Sequence, residues 1–282
     1  MAGTIGYQFK AWGNCPLPKH IDWAGRNYCL KRIFKHDFFA ATALYEINSP
    51  SSKSSVPTPQ RIVLKLSRRT DFLGLPFYWL GQMITRHELS ILRHLQGIRG
   101  VPRLLGGYGK IGLLYEYIEG RSLDEISAQS KSPRQAPDHF FDQLQQLLEQ
   151  IHARHIAYVD MNKRGNILIG SDNAPYMIDF QISCRLYSSH WPWRVFARFA
   201  LELLQKEDIY HLMKHRKRFK ALSPEQLSTR QISPLIALHR RFARPLIKLR
   251  RKVLGFLFNK DLLITDDTDR PNPESDPSRW AQ

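Results

Sequence analysis

The sequence predicts an α+β fold, on three observations. Residues 61–66 (RIVLKL) and 112–118 (GLLYEYI) are apolar stretches of strand length. Residues 84–95 and 138–152 instead space their apolar side chains as helices do, with Ile84, Leu89, Leu92 and Leu95 on one face of the first and Phe141, Leu144, Leu148 and Ile151 on one face of the second. Residues 167–169 (ILI) and 176–178 (YMI) are short apolar runs joined by Gly170-Ser171-Asp172-Asn173, which predicts a hairpin. With 282 residues and 43% hydrophobic content, the chain can bury sizeable cores.

In chain order, residues 1–27 read as an N-terminal extension. Residues 30–45 form a mixed apolar and basic run that contains no glycine, and 48–60 (SSKSSVP at its centre) is a Ser- and Pro-rich insert expected to form a loop. The strand at 61–66 carries one lysine, Lys65, and the helix at 84–95 carries Glu88. Residues 73–84 are apolar, yet about a dozen residues fall short of the roughly 20 that cross a bilayer, so no membrane span is expected. A turn and strand follow at 100–107, a strand at 112–118, a helix start at 122–126, and a further helix at 195–204. Residues 235–256 repeat apolar residues at helical spacing, interrupted by Pro245, which predicts a kink. The tail at 264–282 is acidic and Pro-rich and is expected to be disordered.

The hairpin has oxygen ligands at both ends. Asp160 and Asn166 precede it and Asp179 follows it. Hard divalent cations select carboxylate and amide oxygens, so two acids and an amide in this order suit a cation that accompanies phosphate. An Asp or Asn beside a hairpin also commonly satisfies turn backbone, and the order of the remaining residues decides between the two readings.

That order resembles the protein-kinase-like superfamily, whose pattern is H-R-D-L-x-x-x-N followed by D-F-G. Here it reads Tyr158-Val159-Asp160, then Asn166, then Asp179-Phe180-Gln181. The Asp-to-Asn gap is one residue longer, and Tyr, Val and Gln stand where the pattern has His, Arg and Gly. The resemblance covers about residues 30–220 and is closest to atypical bacterial kinases of the lipopolysaccharide-core type, acting on Kdo or heptose, and more distantly to RIO kinases. It implies a two-lobed protein-kinase-like fold: a small β-rich N-lobe at 28–116 with one key helix, and a larger, mainly helical C-lobe at 117–263.

It also implies roles. Asp160 would accept the proton of an acceptor hydroxyl, and Asn166 and Asp179 would hold Mg2+ across the phosphates of ATP. Lys65, fixed by Glu88, would neutralise phosphate charge, and the hinge at Glu116, Tyr117 and Ile118 would bind adenine. Lys163 has two readings, a contact to the transferred group or a solvated loop lysine. In place of a glycine-rich loop, a turn at Lys35 to Asp37 would aim amides and a lysine at phosphate. No A-P-E follows Asp179, and the short stretch to residue 195 fits a small-molecule or glycolipid acceptor better than an extended peptide. A Ser/Thr protein kinase and a catalytically weak pseudokinase serving as a binding scaffold are the alternatives.

Charge sets the expected partners. The chain carries a net +17, concentrated in Lys214, Arg216, Lys217, Arg218 and Lys220 and in Arg240, Arg241, Arg244, Lys248, Arg250, Arg251 and Lys252. Such surfaces attract phosphate-bearing partners, and the helix expected at 234–258 either packs on its domain or meets an anionic membrane surface. Charge alone would also suit nucleic acid, but no recognised nucleic-acid module occurs. Three cysteines without paired spacing, and no apolar segment behind N-terminal basic residues, lead to the expectation of a cytoplasmic protein, peripheral to the membrane if the basic helix docks there. The acceptor itself and the oligomeric state are not legible.

Overall fold

The computed structural model describes residues 6–48, 58–72, 74–129, 136–186 and 190–219. The chain is α+β, as the patterning predicts, and divides into two compact units. Among the described residues the first holds 6–89 and 103–117, the second 90–102 and 118–219.

The first unit is built on a six-stranded antiparallel sheet, ordered β1 (His20–Trp23), β2 (Arg26–His36), β3 (Ala40–Ile47), β4 (Arg61–Ser67), β6 (Gly112–Glu116) and β5 (Leu104–Tyr108). Two register shifts in the β2–β3 ladder, at Leu30/Arg32 and Ile33/Lys35, add twist, so the sheet curls. β4 lies inside the sheet and is buried along nearly its whole length. Its alternation sends Ile62, Leu64 and Leu66 into a core with Ile21, Tyr28, Ala41, Ala43, Tyr45 and Leu114. β1 and the core residues Leu17 and Ile21 lie within the stretch read from sequence as an extension; β1 pairs in this sheet, and both residues pack in its core.

The opposite parity of β4 places Val63, Lys65 and Ser67 together, and α1 (Tyr78–Leu95) bonds to this side: Thr85 Oγ1 donates to Ser67 Oγ at 2.8 Å. Gly81 makes that approach possible, because a Cβ there would sit 2.0 Å from the Arg68 carbonyl oxygen. The sheet-facing side of α1 is therefore Thr85 and Glu88, both buried, while Ile84 and Leu89 are only half-buried. Arg68 is fully buried, bonding the carbonyls of Gln8, Phe38 and Asp71, with its guanidinium 3.9 Å from the Phe38 ring centre.

The second unit contains α2 (Leu123–Gln129), α3 (Phe140–Ala153), α4 (Trp193–Phe219) and two small sheets. One is β10 (Pro175–Met177), β9 (Ile167–Gly170) and β7 (Gly120–Ser122); the other pairs β11 (Cys184–Arg185) with β8 (Ile156–Ala157). α2 opens on a capping box, the Glu125 amide donating to Ser122 Oγ and the Ser122 amide to the Glu125 carboxylate. α3 buries Phe140, Phe141, Leu144, Leu147, Leu148 and Ile151, and α4 buries Leu201, Asp208, Leu212, His215 and Phe219. Arg216 of α4 pairs with Asp142 of α3 at 2.7 Å, and the Phe141 and Phe219 rings lie 6.1 Å apart.

Among the described residues no helix is long and apolar enough to cross a membrane. The core of the insert at 49–57, the helix expected at 234–258, its basic cluster and the tail at 264–282 lie outside the described residues.

Candidate active site

Strand pairing in the second unit sets two loops side by side. The loop 158–166 runs from β8 to β9, and the loop 178–183 runs from β10 to β11. Since β9 pairs with β10 and β8 with β11, each loop is anchored at both ends by the strands that anchor the other. Cross-loop bonds complete the join. The Ile178 amide donates to the Asn166 carbonyl at 3.0 Å, the Tyr158 hydroxyl donates to the Ile178 carbonyl, and Ser183 Oγ donates to the Tyr158 carbonyl at 3.1 Å. Asn166 and Asp179 are thus held one residue apart in register.

Asp160 is the acceptor at the centre of the first loop. Lys163 Nζ donates to its Oδ2 at 2.7 Å and Asn166 Nδ2 donates to the same oxygen at 2.9 Å. Asp160 and Asn166 are each 8% exposed, while the Lys163 side chain is half-exposed. Both donors take Oδ2, which leaves Oδ1 as the oxygen on which the carboxylate can accept an incoming proton donor. Tyr158 lies beneath, fully buried, its ring 5.2 Å from Phe180 in edge contact. Its hydroxyl is pushed well above the usual phenol range, first by burial and then by the negative charges of Asp160 and Asp179. It is therefore a neutral donor, and both carboxylates lie near enough to act on it.

The loop owes its shape to a residue with no local sequence signal. Asp208 of α4, 1% exposed, accepts from the Tyr158 amide at 2.7 Å, the Val159 amide at 2.8 Å and His152 Nε2 at 3.1 Å. Val159 has φ 69°, a region that costs a β-branched residue about 1–3 kcal/mol. The charged acceptor at Asp208 offsets that strain, since bonds to ionised groups exceed neutral ones. Asp179 also has a positive φ, 61°. Next to Asp160 in the same loop, the Met161 carbonyl is bonded by His215 Nε2 at 2.8 Å, and burial first of all holds the His215 pKa below its ordinary value.

In the first unit, Lys65 Nζ lies 2.9 Å from each carboxylate oxygen of Glu88. The lysine is 4% exposed and the glutamate 2%, so this is a fully interior, two-point ion pair. The remaining expected positions fare differently. Glu116 ends β6 and pairs through its side chain with Arg103 at 2.9 Å, and its amide donates to the Arg103 carbonyl. The Tyr117 amide donates to the Arg61 carbonyl at 3.3 Å, and its ring stacks 6.0 Å from Phe34. Ile118 begins the second unit and is half-buried.

The turn expected to aim amides and a lysine at phosphate follows β2. β2 continues through His36, and Asp37 Oδ1 accepts from the amides of Phe39 and Ala40, both at 2.9 Å. Lys35 pairs with Asp37 at 2.7 Å. The Lys35 amine and the amides of Phe39 and Ala40 thus all meet the Asp37 carboxylate. Among the described residues no group of three or more His, Cys, Asp or Glu side chains is placed to hold a metal ion.

Comparison with known proteins leaves the chemistry to carry the argument. The chain matches no protein-family model and no curated protein.

Sequence reasoning missed Asp208, His152, His215 and the structural part of Tyr158. The only signal for Asp208 was an acid in the middle of a helix, on the same face as Leu201 and Leu212, where a carboxylate needs a partner to be buried.

Proposed function

We propose that the chain is an ATP- and Mg2+-dependent phosphotransferase of two-lobed, protein-kinase-like fold, acting on a hydroxyl of a small molecule or envelope glycolipid sugar. The observation that carries this reading is Asp160, held by Lys163 and Asn166 through one oxygen, with the loop of Asp179 bonded alongside. The Lys65–Glu88 pair supports it independently, as a lysine in an interior strand oriented by the next helix.

The donor chemistry fits magnesium that arrives with a nucleotide. Magnesium takes one or two protein carboxylates and completes its shell with phosphate oxygens and water, so Asn166 and Asp179 suffice where a resident ion would require a fuller cage. When bound, the ion would neutralise charge on the phosphates. Asp160 orients the acceptor hydroxyl and takes its proton on Oδ1. Lys163 and Asn166 fix the carboxylate for that transfer, and Lys163 adds a cation within bonding distance of the base. Lys65, kept in place by Glu88, supplies a cation for the phosphates of the donor. Positioning and electrostatics carry most of the rate in such transfers.

Magnesium-dependent ATP turnover should be present in the native chain and lost in Asp160→Ala and Asp179→Ala. A mass-resolved screen of phosphorylated products from an envelope extract then identifies the acceptor. A second reading, a scaffold that binds nucleotide or a partner without turnover, is motivated by the absence of glycine from residues 30–45 and by Gln181 after Phe180. Nucleotide binding without turnover for any acceptor, peptides included, would establish it in place of the enzyme.

A further inference from the structure

α4 is longer than the surface it packs on. At about 100° per residue, its buried residues Leu201, Asp208, Leu212, His215 and Phe219 fall within roughly a 60° sector. None of them precedes Leu201, so the first two turns extend past the seated part of the helix. These turns are not polar. Trp193, Val195, Phe196 and Phe199 are 66%, 57%, 64% and 63% exposed, and Trp191 just before them is 75% exposed. Val195, Phe196 and Phe199 lie on the side opposite the seated sector, where a helix of a water-soluble surface would carry charge.

The charges present are of one sign. From Cys184 to Leu201 the sequence contains Arg185, His190, Arg194 and Arg198 and no acidic residue. Arg194 is exposed, and Arg198 is exposed with its guanidinium 3.1 Å from Glu202, the first acid of the helix. Farther along the outer side, Lys206, Lys214 and Lys217 replace the aromatic residues, and all three are exposed. Two of the chain's six tryptophans, Trp191 and Trp193, stand two positions apart at this point, with Phe196 in edge contact with Trp193 at 6.3 Å.

We infer that the N-terminal turns of α4 form a docking surface for an anionic lipid bilayer. Large aromatic residues that remain in water on an apolar surface of this extent mark an interaction site. Trp and Phe settle at the boundary between headgroup and acyl chain, and arginines among them reach the lipid phosphates. A chain of net +17 is drawn to such a surface before it makes contact. A protein groove takes a continuous apolar stripe along a helix, whereas here exposed Lys206, Lys214 and Lys217 interrupt the outer side beyond the first two turns. The inference rests on residues 191–199 alone and does not depend on phosphotransfer.

Co-sedimentation of the full chain with phosphatidylcholine vesicles, with and without about one third phosphatidylglycerol, tests it. Binding should require the anionic lipid. The Trp193→Ser/Phe196→Ser/Phe199→Ser variant should partition at least about tenfold more weakly at unchanged secondary structure and melting temperature, because the replaced side chains lie mostly in water in the free protein. Arg194→Ser/Arg198→Ser should weaken partitioning onto the anionic vesicles by about tenfold, since each basic residue near an anionic surface contributes about 1 kcal/mol. Equal partitioning of the native chain and the aromatic variant overturns the inference, as does absence of binding by the native chain. A native molar mass of two chains that returns to one in the aromatic variant also overturns it, since a second copy would then cover the surface.

Discussion

Lys65 and Glu88 close on each other in the interior of the sheet unit, whereas Asp160 and Lys163 meet at the edge of water. The first pair is sealed on both members, and the second joins an 8% exposed carboxylate to a half-exposed amine. Burial makes the first pair costly to break and its geometry rigid. Exposure makes the second cheap to break in stability and open to a substrate. Two cation–carboxylate pairs of the same length class therefore differ in kind, one sealed in the interior and the other, in the proposed reading, presenting a base.

Replacing Asp160 should show the contrast most strongly. Asp160→Asn is expected to lower turnover about 10³–10⁴-fold, within the range of general-base catalysis, while the urea midpoint moves little. A large midpoint shift would make Asp160 a structural residue. Lys65→Met should act the other way first, lowering stability by about 3–5 kcal/mol in urea titrations, because the buried carboxylate loses its bonded cation. Lys65→Met/Glu88→Leu should recover most of that stability without recovering turnover, and a double variant as unstable as the single one would refute the sealed-pair account.

Asp208→Ala should cost about 2–4 kcal/mol, since the buried amides of Tyr158 and Val159 lose their acceptor. Gly81→Ala should cost about 1–3 kcal/mol by forcing α1 away from Arg68, with the Lys65–Glu88 geometry and hence turnover impaired. The smallest effect is that of pH on His215. Its pKa is lower folded than unfolded, so the unfolded chain binds more protons as pH falls. Its contribution to stability is whole above the ordinary value of 6.5 and is lost as pH drops below it. His215→Gln should flatten the melting temperature between about pH 7 and 5 relative to the native chain.

The parts legible in the sequence were those with a local signature. The apolar alternation of β4, the hairpin of β9 and β10 and the apolar stripe of α3 all follow from spacing within a few residues. Lys65 and Glu88 are legible as a pair because one strand and one helix place them, and of the predicted helix face Leu92 and Leu95 are buried, while Ile84 and Leu89 are half-buried because the close approach at Gly81 turns Thr85 and Glu88 inward. Asp208 was not legible, because its partners lie 49 and 50 positions away and no short pattern marks them. The bonds from the amides of Phe39 and Ala40 to Asp37 Oδ1 close the turn after β2 with a side chain, an arrangement that the sequence reading does not assign.

The two donors on Asp160 Oδ2 have a dynamic consequence. A free carboxylate can flip about its last side-chain bond and exchange its oxygens, so either one meets an approaching molecule. With an amine and an amide both bonded to one oxygen, that rotation is restrained and the two oxygens stay distinct. Under the proposed reading, most of the entropy of aiming the base is then lost when the chain folds and not when an alcohol arrives.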